Sequence, residues 1–173
     1  MGKSVSPAKW KNAIRVALVS AVVSVGLVGA ICFNDIVPAI GGVSFSSGAQ
    51  LDSVLVANSV RASSKGLKHQ TTLNRNEGML FLMPEMSTEH RFWMKDTPIP
   101  LDIVYLNDQW QVVAHDSMAP CTKDPCVLYK SPEPYQIALE VASGWVKAFG
   151  IKIGERVTFT PLPILDRLQL LFM

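Results

Sequence analysis

Three groups of residues in this sequence could do chemistry: a cysteine pair, a His-Asp dipeptide shortly before it, and carboxylates scattered around one lysine. Cys121 and Cys126 lie in the Pro-bearing run Ala119-Pro120-Cys121-Thr122-Lys123-Asp124-Pro125-Cys126. Bonded to each other, they would close a loop of about six residues and contribute on the order of 2 kcal/mol through chain entropy. As thiolates, with His115 or His90 added, they would form a zinc site. Their spacing is wider than that of a usual zinc knuckle, so the expectation is a disulfide, with metal the competitor. His115-Asp116 ahead of Cys121 invites a Cys–His nucleophile. A disulfide would abolish it, and adjacent strand residues point to opposite faces. Glu77, Asp96 and Asp102 could pair for acid–base work. The competing reading has them capping amides beside turns, with Lys95 paired to a neighbouring carboxylate. Phe92 and Trp93 adjoin a polar turn, where aromatics can line a ligand cleft or partner surface. Trp110 and Trp145 lie elsewhere, and such residues are more often core. Phe92, Trp93, Lys95, Asp96, Asp102 and Glu77 are thus the candidate ligand or partner surface. No residue is assigned as catalytic, and no cofactor or metal is expected.

The elements that must position these residues are short. Leu51 to Ala57 has the apolar and β-branched content of a strand. Ala62 to Thr72 reads as a short helix or loop. Strands are expected over Gly78 to Met83, Leu101 to Leu106 and Trp110 to His115, the last two forming a hairpin about Asn107-Asp108-Gln109. Residues 116–134, rich in Pro, Asp and Ser, read as an ordered irregular loop. Tyr135 to Val141 is a further strand. Ala142 to Phe149 is a short helix ended by Gly150, and Gly154 turns into a last strand, Arg156 to Thr160. Many short strands with turn signals between them predict a mainly β domain over 50–160, sandwich- or barrel-like.

Before this domain the sequence changes character. From Val16 to Phe33 there is no charge, and the only polar side chains are Ser20, Ser24 and Cys32. As a helix this run reaches roughly 27 Å, close to the hydrocarbon thickness of a bilayer. Lys3, Lys9, Lys11 and Arg15 precede it within a basic segment, 1–15, which keeps the N-terminus cytoplasmic. The run reads as a transmembrane signal anchor, or as a signal cleaved after Ala30, where Val28-Gly29-Ala30 offers small residues. Ile31 before Cys32 fits lipidation poorly. Residues 34–49, with Pro38, Gly41, Gly42 and Gly48, read as a flexible linker. The apolar tail 161–173 is too short to span a bilayer and either packs on the domain or docks on a partner or membrane interface.

All 14 acidic residues follow Phe33, so the remaining 12 Lys and Arg leave that part of the chain near −2. The pI of about 8.5 therefore belongs to the basic N-terminus. With no basic stripe to track phosphates, nucleic acid is not expected as a partner.

The stretch Arg91-Phe92-Trp93-Met94-Lys95-Asp96-Thr97-Pro98-Ile99-Pro100-Leu101-Asp102 has unusual composition. Asn76-Glu77-Gly78-Met79-Leu80-Phe81 stands upstream; the cysteine loop and Gly150-Ile151-Lys152-Ile153-Gly154-Glu155-Arg156-Val157 stand downstream. In this order the chain resembles, over about residues 51–159, the bacterial and archaeal family known as domain of unknown function 192. The resemblance implies a small mainly β, sandwich-like domain, often exported, and brings no activity, substrate or catalytic residue. Two departures stand out. Asp96 occupies a position where the family usually has Asn, and its Arg-x-x-Gly-Leu-Met segment is reduced here to Ser64-Lys65-Gly66-Leu67-Lys68.

The expected function is that of an exported, periplasmic accessory module, non-enzymatic, single-pass in the cell membrane and acting through contacts with other membrane protein subunits. The alternative is a small-ligand-binding or hydrolytic domain with a cleft near Trp93, Lys95, Asp96, Asp102 and the Cys121–Cys126 loop.

Overall fold

Leu101–Leu106 (β5) is buried at every position, and Tyr135–Ala142 (β8) nearly so. A strand covered on both faces must lie inside a sheet, and these two pair there, antiparallel. The computed structural model describes residues 39–163, and the sheet built within them has seven strands. The others are Ile40–Phe45 (β1), Gln50–Ala57 (β2), Glu77–Ser87 (β3), Val112–Met118 (β6) and Val157–Pro161 (β9), and the spatial order is β6-β5-β8-β3-β2-β1-β9. Phe92–Trp93 (β4) and Leu128–Tyr129 (β7) form a separate two-stranded ribbon. All pairings are antiparallel except β2 with β3. A parallel pair needs a crossover, and the helix Val60–Lys65 (α1) with the loop after it supplies one. Ser59 caps α1 through its hydroxyl, which accepts from the Ala62 amide at 3.3 Å.

Each face of the sheet has its own core. Val104, Leu106, Leu139 and Val141 point one way and meet Val43, Leu51, Val54 and Leu80. Leu101, Ile103, Tyr105 and Ala138 point the other way and meet Phe81, Phe92, Met94 and Leu67. Burying each large aliphatic side chain contributes roughly 1.5–3 kcal/mol. The second helix, Trp145–Phe149 (α2), closes the first core with Trp145, whose ring lies 5.4 Å from that of Phe45. It ends at Gly150, which adopts φ 63°, a left-handed conformation that glycine tolerates at a helix end.

Several sequence expectations shift. Part of the stretch read as a linker, 34–49, is the strand β1, held between β2 and β9. A bulge there sets Val43 against Leu51 and Gly41 against Val54, so both β2 side chains reach the core. Strand β6 begins at Val112, not Trp110, because the Asn107 side-chain oxygen accepts from the Gln109 and Gln111 amides and lengthens the turn. Trp110 adopts φ 60° in that turn and stacks on Phe159 at the margin of the first core. The loop expected over 116–134 yields its start to β6 and holds β7. The main sheet is mixed and not a closed barrel; its end strands meet at the Gln111 to Arg156 bridge, where the Val112 amide donates to the Glu155 carbonyl, the Gly154 amide to the Val112 carbonyl and the Val157 amide to the Trp110 carbonyl. The apolar run 16–33 and the tail beyond residue 163 lie outside the described residues. Among the described residues no helix is long and apolar enough to cross a membrane.

Candidate functional site

The stretch Arg91 to Asp102 crosses the second face of the sheet before it becomes β5. Phe92 is buried there, edge-on to Phe81 at 5.1 Å, while its neighbour Trp93 is 47% exposed. Met94 to Thr97 is a tight turn, with the Thr97 amide donating to the Met94 carbonyl at 3.1 Å. Asp96 sits in it at φ 60°, a conformation that Asp and Asn accept more readily than other non-glycine residues. The turn is fastened on two sides. The His69 amide donates to the Asp96 carbonyl at 2.8 Å, and Lys95 Nζ donates to Asp124 Oδ2 at 2.9 Å. That hydrogen bond and the Asp124 charge hold the Lys95 ammonium above its usual range.

The predicted site residues divide. Phe92 and Trp93 border one cleft. Lys95 reaches it only through the Trp93 ring, over which its ammonium lies at 5.9 Å. Glu77 is away from it, accepting from the Asn74 amide and side chain at 3.0 and 2.8 Å. Asp102 is on the opposite face. It is 2% exposed, and its oxygens accept from Ser117 Oγ at 2.9 Å and from the Val146 amide at 3.0 Å, which caps α2. Both carboxylates therefore satisfy backbone or side-chain donors. Cys121 and Cys126 are joined in a disulfide, so neither serves as a nucleophile, and His115 is exposed on β6. His90 bonds the Glu85 carbonyl at 2.9 Å. The cysteine loop forms its own hollow of about 170 Å³ with Met94 and Tyr129, apart from the cleft.

The cleft itself has a volume of about 290 Å³. Its floor is Phe81, Phe92, Thr97 and Glu140, all buried. One wall is Ser63 to Lys68, where α1 ends; Arg91 and Trp93 stand at the mouth. Lys68 Nζ lies 5.4 Å from the Trp93 ring centre, so the indole is flanked by two cations. Arg91 pairs with Glu89 at 2.7 Å on the outside. Glu140 is the exceptional residue. It comes from the middle of β8, is 5% exposed, and has neither hydrogen bond nor ion pair within the described chain. Burial alone pushes its carboxyl up to about 8. Beneath it, burial also raises the phenols of Tyr105 and Tyr135, whose oxygens have no partner either.

Residues 43–159 match the family described as Uncharacterized ACR, domain of unknown function 192. The chain belongs to that family. Among solved structures, a candidate transcription regulator from Sinorhizobium meliloti 1021 is similar at 26% identity and a TM-score of 0.64, over 71% of this chain and 95% of that one. A protein of unknown function from Novosphingobium aromaticivorans DSM 12444 is similar at 30% identity and a TM-score of 0.57, over 69% and 83%. No curated protein matches. Of the two departures noted in the sequence, Ser64 to Lys68 line the cleft, while Asp96 stands outside it and its carbonyl accepts from the amide of His69, just past that wall.

Sequence reasoning missed Glu140, Thr97, Arg91 and the lysines of the wall as members of one site. A signal for Glu140 was present: it is the lone acid in Ile137-Ala138-Leu139-Glu140-Val141-Ala142. A charged residue in such a run is rarely fully buried without a partner.

Proposed function

We propose that this domain binds a small organic anion in the cleft between α1, β4 and β8. The observation that carries the reading is a buried, unpaired Glu140 at the floor of an open cleft whose mouth is basic. A group of this kind is costly to maintain in a fold unless something uses it. Lys65, Lys68 and Arg91 supply charge for an anionic group, Phe81 and Phe92 an apolar bed, and Trp93 a face to lie against. The regulator name of the Sinorhizobium structure finds no counterpart in the charge of this chain, near −2 beyond Phe33.

The test is titration of the full-length protein with a panel of small carboxylates and phosphate esters, followed by tryptophan fluorescence. At least one should bind, and the Lys68→Ala/Arg91→Ala variant should bind it about tenfold or more weakly, as loss of charge-assisted contacts predicts. A panel without a binder, or a double variant indistinguishable from the native protein, would remove the reading.

A second reading keeps the domain as an accessory module of a membrane complex, held on the exported side by 16–33. The Cys121–Cys126 disulfide supports export, because such bonds persist in oxidising compartments. Trp93 and Leu128, paired across the β4–β7 ribbon and 47% and 57% exposed, favour a protein contact there. Purification from native membranes in mild detergent should then yield a stoichiometric complex; a lone chain would count against it.

A further inference from the structure

Two acids are buried in the centre of this sheet, and the chain treats them differently. Asp102 receives two hydrogen bonds from its own fold. Glu140 receives none, although it lines the cleft. The polar groups that share its cleft or its face of the sheet are Lys65 and Lys68 from the segment closing α1, Arg91 ahead of β4, Thr97, Tyr105 of β5 and, two strands away on β6, Asp116. No cation among them lies within ion-pair distance; Arg91 is engaged with Glu89, and Lys68 leans on Trp93. The cleft thus presents one buried carboxyl group inside and a basic ring outside. A ligand complementary to both ends carries positive charge at its inner end and negative charge at its outer end.

We propose that the anion taken by this cleft is a small zwitterion of the amino-acid class, with its ammonium group on Glu140 and its carboxylate toward Lys65, Lys68 and Arg91. The inference rests on the cleft being the binding site and adds the identity of the second ligand group. A carboxylate hydrogen-bonded to an ammonium away from water is a strong, directional contact. It also discriminates sharply, because a ligand without the amine leaves the buried acid unsatisfied. The apolar floor of Phe81 and Phe92 suits an aliphatic or aromatic side chain. Because burial holds the empty carboxyl near 8, an arriving ammonium makes Glu140 give up its proton at pH 7.

The experiment is calorimetric titration of the full-length protein with L-alanine, L-leucine and L-phenylalanine. Each is compared with the 2-hydroxy acid that replaces its ammonium by a hydroxyl. At least one amino acid should bind about tenfold or more tightly than its hydroxy acid. Its binding should release a proton at pH 7, read from the heat in two buffers of different ionisation enthalpy. Glu140→Gln should lose both the preference and the proton release, with circular dichroism and a cooperative thermal transition showing that the variant is folded. Equal binding of amino and hydroxy acids, or a native preference retained in Glu140→Gln, overturns the inference and leaves the anion site standing. If neither series binds, while simple carboxylates or phosphate esters do, the inference alone falls. If nothing binds at all, the site falls with it.

Discussion

Asp102 on β5 and Glu140 on β8 are one register step apart, since Ile103 is the residue paired with Glu140. One step turns a side chain to the other face of a sheet, and that separates their roles. Asp102 is structural. Asp102→Ala removes the cap of α2 and strands Ser117 Oγ, and should lower stability by about 2–3 kcal/mol in urea unfolding. An unchanged midpoint would mean that the cap contributes nothing. Glu140 acts on stability in the opposite sense. Its carboxyl moves from an ordinary value near 4.5 to about 8 in the fold. Between these limits the native chain keeps a proton that the unfolded chain has released. The stability tied to this group is therefore full below about 4.5, declines as pH rises, and is lost by about 8. The decline is on the order of a few kcal/mol. Urea midpoints at pH 5 and pH 8 should show it in the native protein and a flatter response in Glu140→Gln. Identical pH responses in the two proteins would show that the carboxyl is not buried as described.

At the scale of elements, the site depends on how closely β3 approaches β8. Gly78 lies opposite Val141, and a Cβ built there would stand 2.8 Å from the Glu140 carbonyl oxygen. Backbone cannot yield as a flexible side chain can. Gly78→Ala should therefore force the two strands apart, costing about 1–3 kcal/mol. It should also weaken ligand binding, because β8 carries Glu140; thermal unfolding together with the fluorescence titration reads both. A variant with native stability would mean that the sheet relaxes there at little cost. The same scale explains which motif residues belong together. Lys95 and Asp124 tie the cysteine loop to the 94–97 turn, and Asp96 and His69 tie the end of α1 to it. The unusual stretch from Arg91 to Asp102 is thus a brace across the sheet, with Arg91, Phe92, Trp93 and Thr97 its contribution to the cleft.

At the scale of the whole molecule, the described domain is a seven-stranded mixed sheet with a small ribbon beside it, a core on each face and a cleft on one of them. The proposed membrane tether would be the apolar run Val16 to Phe33 with the basic residues before it. With such a tether, the full chain should stay with the membrane fraction through alkaline carbonate extraction, and N-terminal sequencing of that material should read the original start. A mature start at Ile31, or release by carbonate, would overturn the proposed tether.

What the sequence by itself determined is local. Apolar, β-branched runs mark β2, β3, β5 and β8, since period and composition decide whether a segment suits a pleated surface. Gly150 marks the end of α2, and two cysteines five residues apart in one short loop mark the disulfide. The motif that signals the family is also contiguous. The tertiary structure alone decided the site, because its members come from four separate segments: the end of α1, β3, the approach to β5, and β8. The parallel crossover from β2 to β3 swings residues 65–68 over the second face, and pairing register turns Glu140 toward them and Asp102 away. Chemically the two acids look alike in the sequence. Only the fold supplies donors to one and withholds them from the other, and that difference is set by contacts far apart along the chain.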